Sequence, residues 1–391
     1  MIEVPSINRN RTGEAMDQLT TVGIDLAKDI FAVCVLDTSG TVLQRRVLRR
    51  EPFMRWAEQL SPCRVAMEAC GSSHHWARWF AARGHAARLI PAEFVKPFRP
   101  GGKNDAADAE AIAVAARQPT MRFVAIKSVE QQAILAWHSV RQGWQERTAL
   151  LNRTRGLLAE FGVVIARSGD RLLSALPILI EDAGLPDPVR AMLLEVREQL
   201  VALNLRLAGC DQQIAAHARC SDVARRAGEL FGVGPLTSSA VAATVPDAKV
   251  FRNGRQVGAW LGLTPQQHSS GGRTWLGHIS LRGNVYLRTL LVQGARSALQ
   301  SALRADPMHA SRLQRWIRQL HERRGYHKTL IAIAIAIAIA IANKHAGCCG
   351  RCSQKTNVTM PMRGNAIRYI RRYHPLQHDP VSLRLNYCST Q

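Results

Sequence analysis

The chain has 391 residues, 47% of them hydrophobic, with 52 Lys and Arg against 29 Asp and Glu and a formal net charge of +23 at pH 7. That length exceeds one ordinary core and predicts two or three domains, and the basic excess points to a polyanionic partner, most economically nucleic acid. Met1 to Thr20 holds no apolar core of signal-peptide length, and the longest uncharged apolar run, Leu330 to Ala342, has 13 residues against the roughly 20 that span a bilayer. The expectation is a cytoplasmic protein with no membrane segment, a disordered stretch over residues 1–19, and nine cysteines held as thiols.

From Thr21 to Leu48 the sequence holds three β-rich runs with the turn Asp37-Thr38-Ser39-Gly40 between the second and third, as in an antiparallel meander. Helix is predicted over Glu51–Leu60, a short buried strand over Arg64–Ala69, helix over His74–Arg83, strand over Ala87–Ile90 and helix over Asn104–Arg117. The order is βββαβαβα. Lys103-Asn104-Asp105-Ala106-Ala107-Asp108-Ala109-Glu110 opens the last helix with three carboxylates in six residues, in a chain where acid is scarce. Asp105 and Asp108, three apart, project from one helix face, where they repel unless a cation lies between them.

Asp25 ends the first strand and Glu68 the fourth. Two strand-terminal acids and a helical pair in this order match the arrangement by which RNase H-like nucleases hold two divalent metals. Phosphodiester cleavage needs charge neutralised at the attacking and leaving oxygens, and hard oxygen ligands hold Mg²⁺ while leaving sites open for substrate. Singly, each acid also fits a plainer role: strand-end Asp as a turn residue, first-turn Asp as partner of the helix dipole.

Residues 125–218 shift to long helices rich in Leu, Gln and Arg. Leu193, Leu200, Leu207 and Ile214 recur every seven residues, with Val196, Leu203 and Cys210 three positions later, the seam of a coiled coil. The preceding helix, predicted as continuous over Glu130–Val164, carries Trp137 and Trp144 with Arg141, Arg147, Arg153 and Arg155. It can serve as an antiparallel partner within the chain, or the seam can join two chains. The arginines are either a solvated face or a track for phosphates, and the net charge favours the track.

A third unit is expected over residues 222–345. Phe231-Gly232-Val233-Gly234-Pro235 before a helix of small residues resembles a helix-hairpin-helix element, whose backbone amides, at Gly232 and Gly234, face a DNA phosphate. His268-Ser269-Ser270-Gly271-Gly272-Arg273-Thr274 reads as a flexible exposed loop able to present a hydroxyl, followed by a helix over Leu287–Leu299. The Ile-Ala alternation of Ile331–Ala342 reads as a helix apolar on all faces. His345, Cys348, Cys349 and Cys352 lack the second ligand pair of a zinc finger, so residues 346–391 read as a disordered basic tail.

Jointly, Gly23-Ile24-Asp25-Leu26-Ala27-Lys28, Met67-Glu68-Ala69-Cys70-Gly71, Lys103-Asn104-Asp105-Ala106-Ala107-Asp108-Ala109, Gly232-Val233-Gly234-Pro235 and Gly262-Leu263-Thr264-Pro265 leading to Ser270-Gly271 resemble the insertion-sequence transposases of the one-ten family, relatives of pilin-gene invertases. The resemblance covers about residues 20–345. It implies a RuvC-like, RNase H-like α/β domain over 20–118 with a DEDD set formed by Asp25, Glu68, Asp105 and Asp108 as ligands of Mg²⁺ or Mn²⁺. It implies a coiled-coil middle and a mainly α transposase domain with Ser270 as nucleophile; Arg273, in the same loop, is a candidate nucleic-acid contact. It implies, further, a DNA recombinase guided by a structured RNA, acting on donor and target DNA as a dimer or tetramer. The Ile-Ala run and Cys-containing tail depart from the family's usual ending.

The rival within the same fold is a junction-resolving endonuclease, in which water attacks and Ser270 is a loop residue. An actin-like sugar kinase shares Gly-Ile-Asp on its first strand but wants Gly and Ser or Thr next, where this chain has Leu26-Ala27-Lys28. A non-catalytic nucleic-acid-binding protein would need no acidic quartet.

Overall fold

The computed structural model describes residues 20–99, 105–166, 168–245, 251 and 253–346. Two compact units divide them: residues 20–225 with 238–245, and residues 226–237 with 251–346. The tail with Cys348, Cys349 and Cys352 lies outside the described residues, as does the N-terminal stretch before Thr20.

The first unit begins with the meander expected from sequence. Strands β1 (Thr21–Leu26), β2 (Ile30–Leu36) and β3 (Val42–Arg49) pair antiparallel, followed by α1 (Arg50–Glu58), β4 (Arg64–Glu68), α2 (Ser73–Ala82), β5 (Ala86–Ile90), the short α3 (Ala92–Val95) and α4 (Asp105–Ala116). The sheet order is β3-β2-β1-β4-β5, with β4 parallel to both β1 and β5. Successive strand residues point to opposite faces, so Val22, Ile24, Val65 and Met67 join Phe31, Phe53, Trp76 and Phe80 in a core under α1 and α2. Phe31 stacks on Phe53 with centroids 4.4 Å apart, and Trp76 meets both edge-on. Each such buried ring contributes about 1.5–3 kcal/mol.

The opposite face belongs to α4, whose Ala109 and Ala113 pack with Ala32, Cys34 and Leu36. Alanine favours helix, and here its small side chain also sets the spacing. A Cβ built on Gly23 would collide with the Ala109 carbonyl and lie 2.6 Å from Ala113 N, so helix and strand touch backbone to backbone. At the free edge, β3 carries Arg45, Arg46 and Arg49, charges that discourage further strand pairing.

The long helix expected over 130–164 is two: α5 (Val129–Arg141) and α6 (Trp144–Glu160). A turn at Gln142-Gly143 separates them, with the Gly143 amide donating to Val140 O at 3.0 Å, and Gly162, at φ 75°, terminates the second. After α7 (Gly169–Glu181) comes the 34-residue α8 (Asp187–Cys220). Its heptad positions Leu193, Val196, Leu200, Cys210 and Ile214 are buried and Leu203 and Leu207 half-buried, and α8 packs against α5, α6 and α7 of its own chain.

Beyond α9 (Asp222–Gly228), α10 (Pro235–Thr244) and α11 (Gly254–Trp260), the stretch expected as a loop is a hairpin of β6 (Pro265–Ser270) and β7 (Arg273–Ile279). Its two-residue turn is Gly271-Gly272, with φ of 55° and 76°, the left-handed pair that suits strand twist. Both faces of this ribbon are solvent-exposed, so no alternation of apolar residues marks it in the sequence. Helices α12 (Val285–Arg304), α13 (Arg312–Arg324) and α14 (Tyr326–Ala346) complete the second unit. By length and composition α14 is the one helix among the described residues apolar enough to cross a membrane. Here Leu330, Ile333, Ala334, Ile337, Ala338 and Ile341 are buried, and the helix packs against α11, α12 and α13 as a core element.

Candidate active site and nucleic-acid face

Sheet alternation places two of the predicted acids. Gly23 faces α4, so Asp25, two residues on, lies on the same face, and β4 parallel to β1 brings Glu68, the final residue of its strand, alongside. The first turn of α4 supplies Asp105, exposed, and Asp108, 7% exposed, one helical turn apart. The close approach at Gly23 sets that turn over the end of β1. The Asp25 carboxyl is consequently raised above its ordinary range, first by burial, then by Asp108, Asp105 and Glu68, with Arg99 opposing. All three other acids thus act on Asp25.

Glu110, the third carboxylate of the run, faces elsewhere and pairs with Arg45 of β3 at 2.7 Å. The role of Arg99 was not legible in the sequence: its guanidinium forms an ion pair with Asp108, yet neither Arg99 Nε nor Asp108 Oδ1 has a well-formed hydrogen bond. Arg99 thus sets a cation against this buried carboxylate. Among the described residues, no three or more His, Cys, Asp or Glu side chains are gathered tightly enough to cage a metal ready-made. The crowding around Asp25 and the all-oxygen donor set nevertheless fit a hard divalent cation.

Ser270 lies in the second unit at the tip of the hairpin, exposed, and no hydrogen bond among the described residues engages its hydroxyl. Ser269, by contrast, accepts from Gln267 Nε2 at 2.8 Å. Arg273 stands directly opposite Ser270 across the strands. The hairpin base is tightly built: Leu281 has φ 56°, a strained position for a branched side chain, and its amide donates to Gly262 O at 3.1 Å. A Cβ on Gly262 or Gly283 would strike the Arg282 or Trp260 backbone. The buried Arg288 guanidinium donates to Leu261 O at 3.0 Å and Arg282 O at 2.8 Å.

The remaining predicted residues divide by use. Arg141 pairs with Asp211 at 2.6 Å, Arg147 donates to Asn204 Oδ1 at 2.6 Å, and Arg155 donates to Ser168 O at 2.8 Å, while Arg153 is exposed. Gly232, at φ 84°, lies against the Gly294 carbonyl of α12, a packing role, whereas Gly234 faces open space before α10. A cluster with no sequence signal joins α5, α8 and α10: Ser239 Oγ lies 3.0 Å from His138 Nε2 and 2.9 Å from His217 Nδ1. A hydroxyl satisfies two neutral imidazoles by donating to one and accepting from the other.

The five-stranded sheet with acids facing α4, and the mainly helical remainder, are consistent with a DEDD-type, RNase H-like domain at the head of a nucleic-acid enzyme. Residues 22–162 match the DEDD transposase family model of the IS110 type, and residues 224–311 match the model for transposases of the IS116/IS110/IS902 family. The chain belongs to the IS116/IS110/IS902 family of transposases. It is 45% identical over 332 residues to a probable family 20 transposase of Pseudomonas aeruginosa, an alignment covering 84% of this chain and 95% of that protein. With the transposase for insertion sequence element IS1111A of Coxiella burnetii it shares 37% over 335 residues, 85% and 89% of the two chains. With the transposase for IS1328 of Yersinia enterocolitica it shares 34% over 303 residues, 77% and 89%. The protein is therefore a transposase, an enzyme that cleaves and rejoins DNA in insertion-sequence transposition; the junction-resolving alternative is not favoured. A DEDD transposase domain points to divalent-metal dependence in general.

Proposed function

We propose that this transposase cuts DNA through a covalent phosphoserine link at Ser270, with Asp25, Glu68, Asp105 and Asp108 holding two Mg²⁺ or Mn²⁺ ions. The observation that carries the metal assignment is the placement of Asp25 and Glu68 at neighbouring parallel strand ends on the face covered by α4, whose first turn holds Asp105 and Asp108. Bound there, the ions would neutralise charge on the attacked phosphate and on the leaving oxygen. Ser270 Oγ forms the new bond to phosphorus as the bond to the leaving strand breaks, and the serine proton ends on the released hydroxyl. The phosphoserine retains the energy of the broken bond, so attack by a second strand's hydroxyl rejoins DNA and restores the serine. Arg273, opposite Ser270, is suited to hold a phosphate oxygen.

The reading includes a structured guide RNA and a homo-oligomer, dimer or tetramer; the formal charge of +23 supports a polyanionic partner. Trapping products under denaturing conditions tests the serine. Wild type and Ser269→Ala should yield a protein-DNA adduct and Ser270→Ala none; an adduct that persists in Ser270→Ala ends the assignment, as does nicking without adduct by wild type. Nuclease-treated protein that still recombines DNA efficiently would exclude the guide.

A further inference from the structure

The register of the hairpin gathers more than a serine. Ser270 opposes Arg273 and His268 opposes Trp275. Opposed residues of an antiparallel pair share a face, their Cβ atoms about 4.5–5.5 Å apart, with diagonal neighbours at about 7–8 Å. One face of the ribbon therefore presents a hydroxyl, a guanidinium, an imidazole and an indole together. Ser269, Gln267, Thr274 and Leu276 take the other face. Trp275 is 74% exposed. An indole left in water without packing against its own fold is an expensive choice unless something covers it.

Charge identifies the cover. Residues 253–346 contain 13 Lys and Arg against two acids, Asp306 and Glu322, and the hairpin itself, residues 265–279, contains none. A two-stranded ribbon fits a DNA groove. A paired, stacked duplex offers side chains only base edges, however, and an indole has its large attractive surface on the ring face. An unstacked base supplies the matching surface.

Resting on the reading of Ser270 as nucleophile, we propose that this face is a nucleotide clamp: Trp275 stacks on an unpaired DNA base adjoining the phosphate that Arg273 holds and Ser270 attacks. Trp275 is diagonal to Ser270, a span that one nucleotide bridges from phosphate to base. His268, across from Trp275 and two residues before Ser270 on the same face, donates to the same backbone. The clamp gives the exposed serine a fixed line of attack, since neither the hairpin tip nor an extended DNA strand is rigid alone. It also confines cleavage to DNA that has been opened.

The full chain, with an unpaired DNA oligonucleotide carrying one 2-aminopurine as probe, tests this. Base stacking on an aromatic is lost with Trp275→Ala, so binding should weaken about 5- to 150-fold and the change in 2-aminopurine fluorescence should disappear. Trp275→Phe should restore both, Arg273→Ala should reduce the salt dependence by about one phosphate contact, and Leu276→Ala on the opposite face should match wild type. Wild-type binding and fluorescence in Trp275→Ala would overturn the clamp. So would an effect seen only with RNA of the same sequence, or only on the oligomeric state. Ser270→Ala should keep the fluorescence change while losing the adduct. A wild type that stacks the base but never forms an adduct supports the clamp and overturns the nucleophile.

Discussion

The acid face and the serine hairpin are built by opposite means. Asp25 and Glu68 are held by a sheet buried on both faces, and α4 is pressed onto β1 at Gly23, so the position of each acid follows from packing around it. Among the described residues the hairpin has no core of its own, and Ser270 is fixed by strand pairing, a Gly-Gly turn and the strained, glycine-clamped base at Leu281. Rigid burial suits groups that must hold charges close together against their repulsion. An exposed ribbon suits the nucleophile proposed at Ser270, which must reach a substrate as bulky as DNA.

The contrast breaks most visibly at the acids. If these acids hold the proposed metals, Asp25→Asn or Asp108→Asn should lower cleavage roughly a thousandfold or more, since several kcal/mol of charge stabilisation would go with them, while DNA binding stays equal or tightens as repulsion of phosphate falls. Cleavage at the wild-type rate in either variant removes these acids from the site. Next, Gly23→Ala forces a methyl into the Ala109 backbone and should cost about 3 kcal/mol, the upper part of the range for overpacking, read as a lower denaturation midpoint with cleavage reduced. Gly277→Ala on the hairpin meets no atom closer than 3.8 Å and should leave the midpoint unchanged. Equal effects at the two glycines would show that the acid face is not held by packing.

The same difference decides what the sequence discloses. Burial on both faces leaves near-continuous apolar runs, so β1, β2 and β4 were legible, and with them Asp25 and Glu68 as strand-end acids; the heptads of α8 were legible because most of their positions are buried. The hairpin exposes both faces, so its residues read as a loop, and Ser270 stood out only through resemblance. Contacts between distant segments leave no local trace: Arg99 against Asp108, Gly232 against Gly294, and Ser239 between His138 and His217 all depend on tertiary placement. The break at Gly143 was visible as a glycine, but the surrounding helix formers outweighed it.

Those histidines give the acid-bearing unit a pH dependence. His138, 1% exposed, is lowered to about 4 by burial, with His217 and Arg141 adding to it, and His217 is lowered by burial. Neutral imidazole is favoured in the fold, so the stabilisation is complete above the unfolded value near 6.5 and is lost as pH falls toward 4. For His138 this amounts to about 3 kcal/mol. Thermal unfolding of the first unit should drop across that window, and His138→Asn should flatten the slope although it lowers stability at pH 7. An unchanged slope would mean that His138 binds its proton alike in the folded and unfolded chain.

The smallest effect tests the geometry most narrowly. Glu110 belongs to the same acidic run as Asp105 and Asp108, and if the run acted merely as a patch of negative charge, neutralising any of the three should matter similarly. The helix turns Glu110 away, however, toward the β3 edge, where it meets Arg45 at 2.7 Å with half of the arginine side chain exposed. Exposed ion pairs contribute little, because water and salt screen them and two flexible side chains lose freedom in pairing. Glu110→Gln should therefore cleave DNA at the wild-type rate, need no more metal than wild type for half-maximal activity, and unfold at nearly the same midpoint. A raised metal requirement in Glu110→Gln would enlist this carboxylate in the site and dissolve the distinction between one face of α4 and the other.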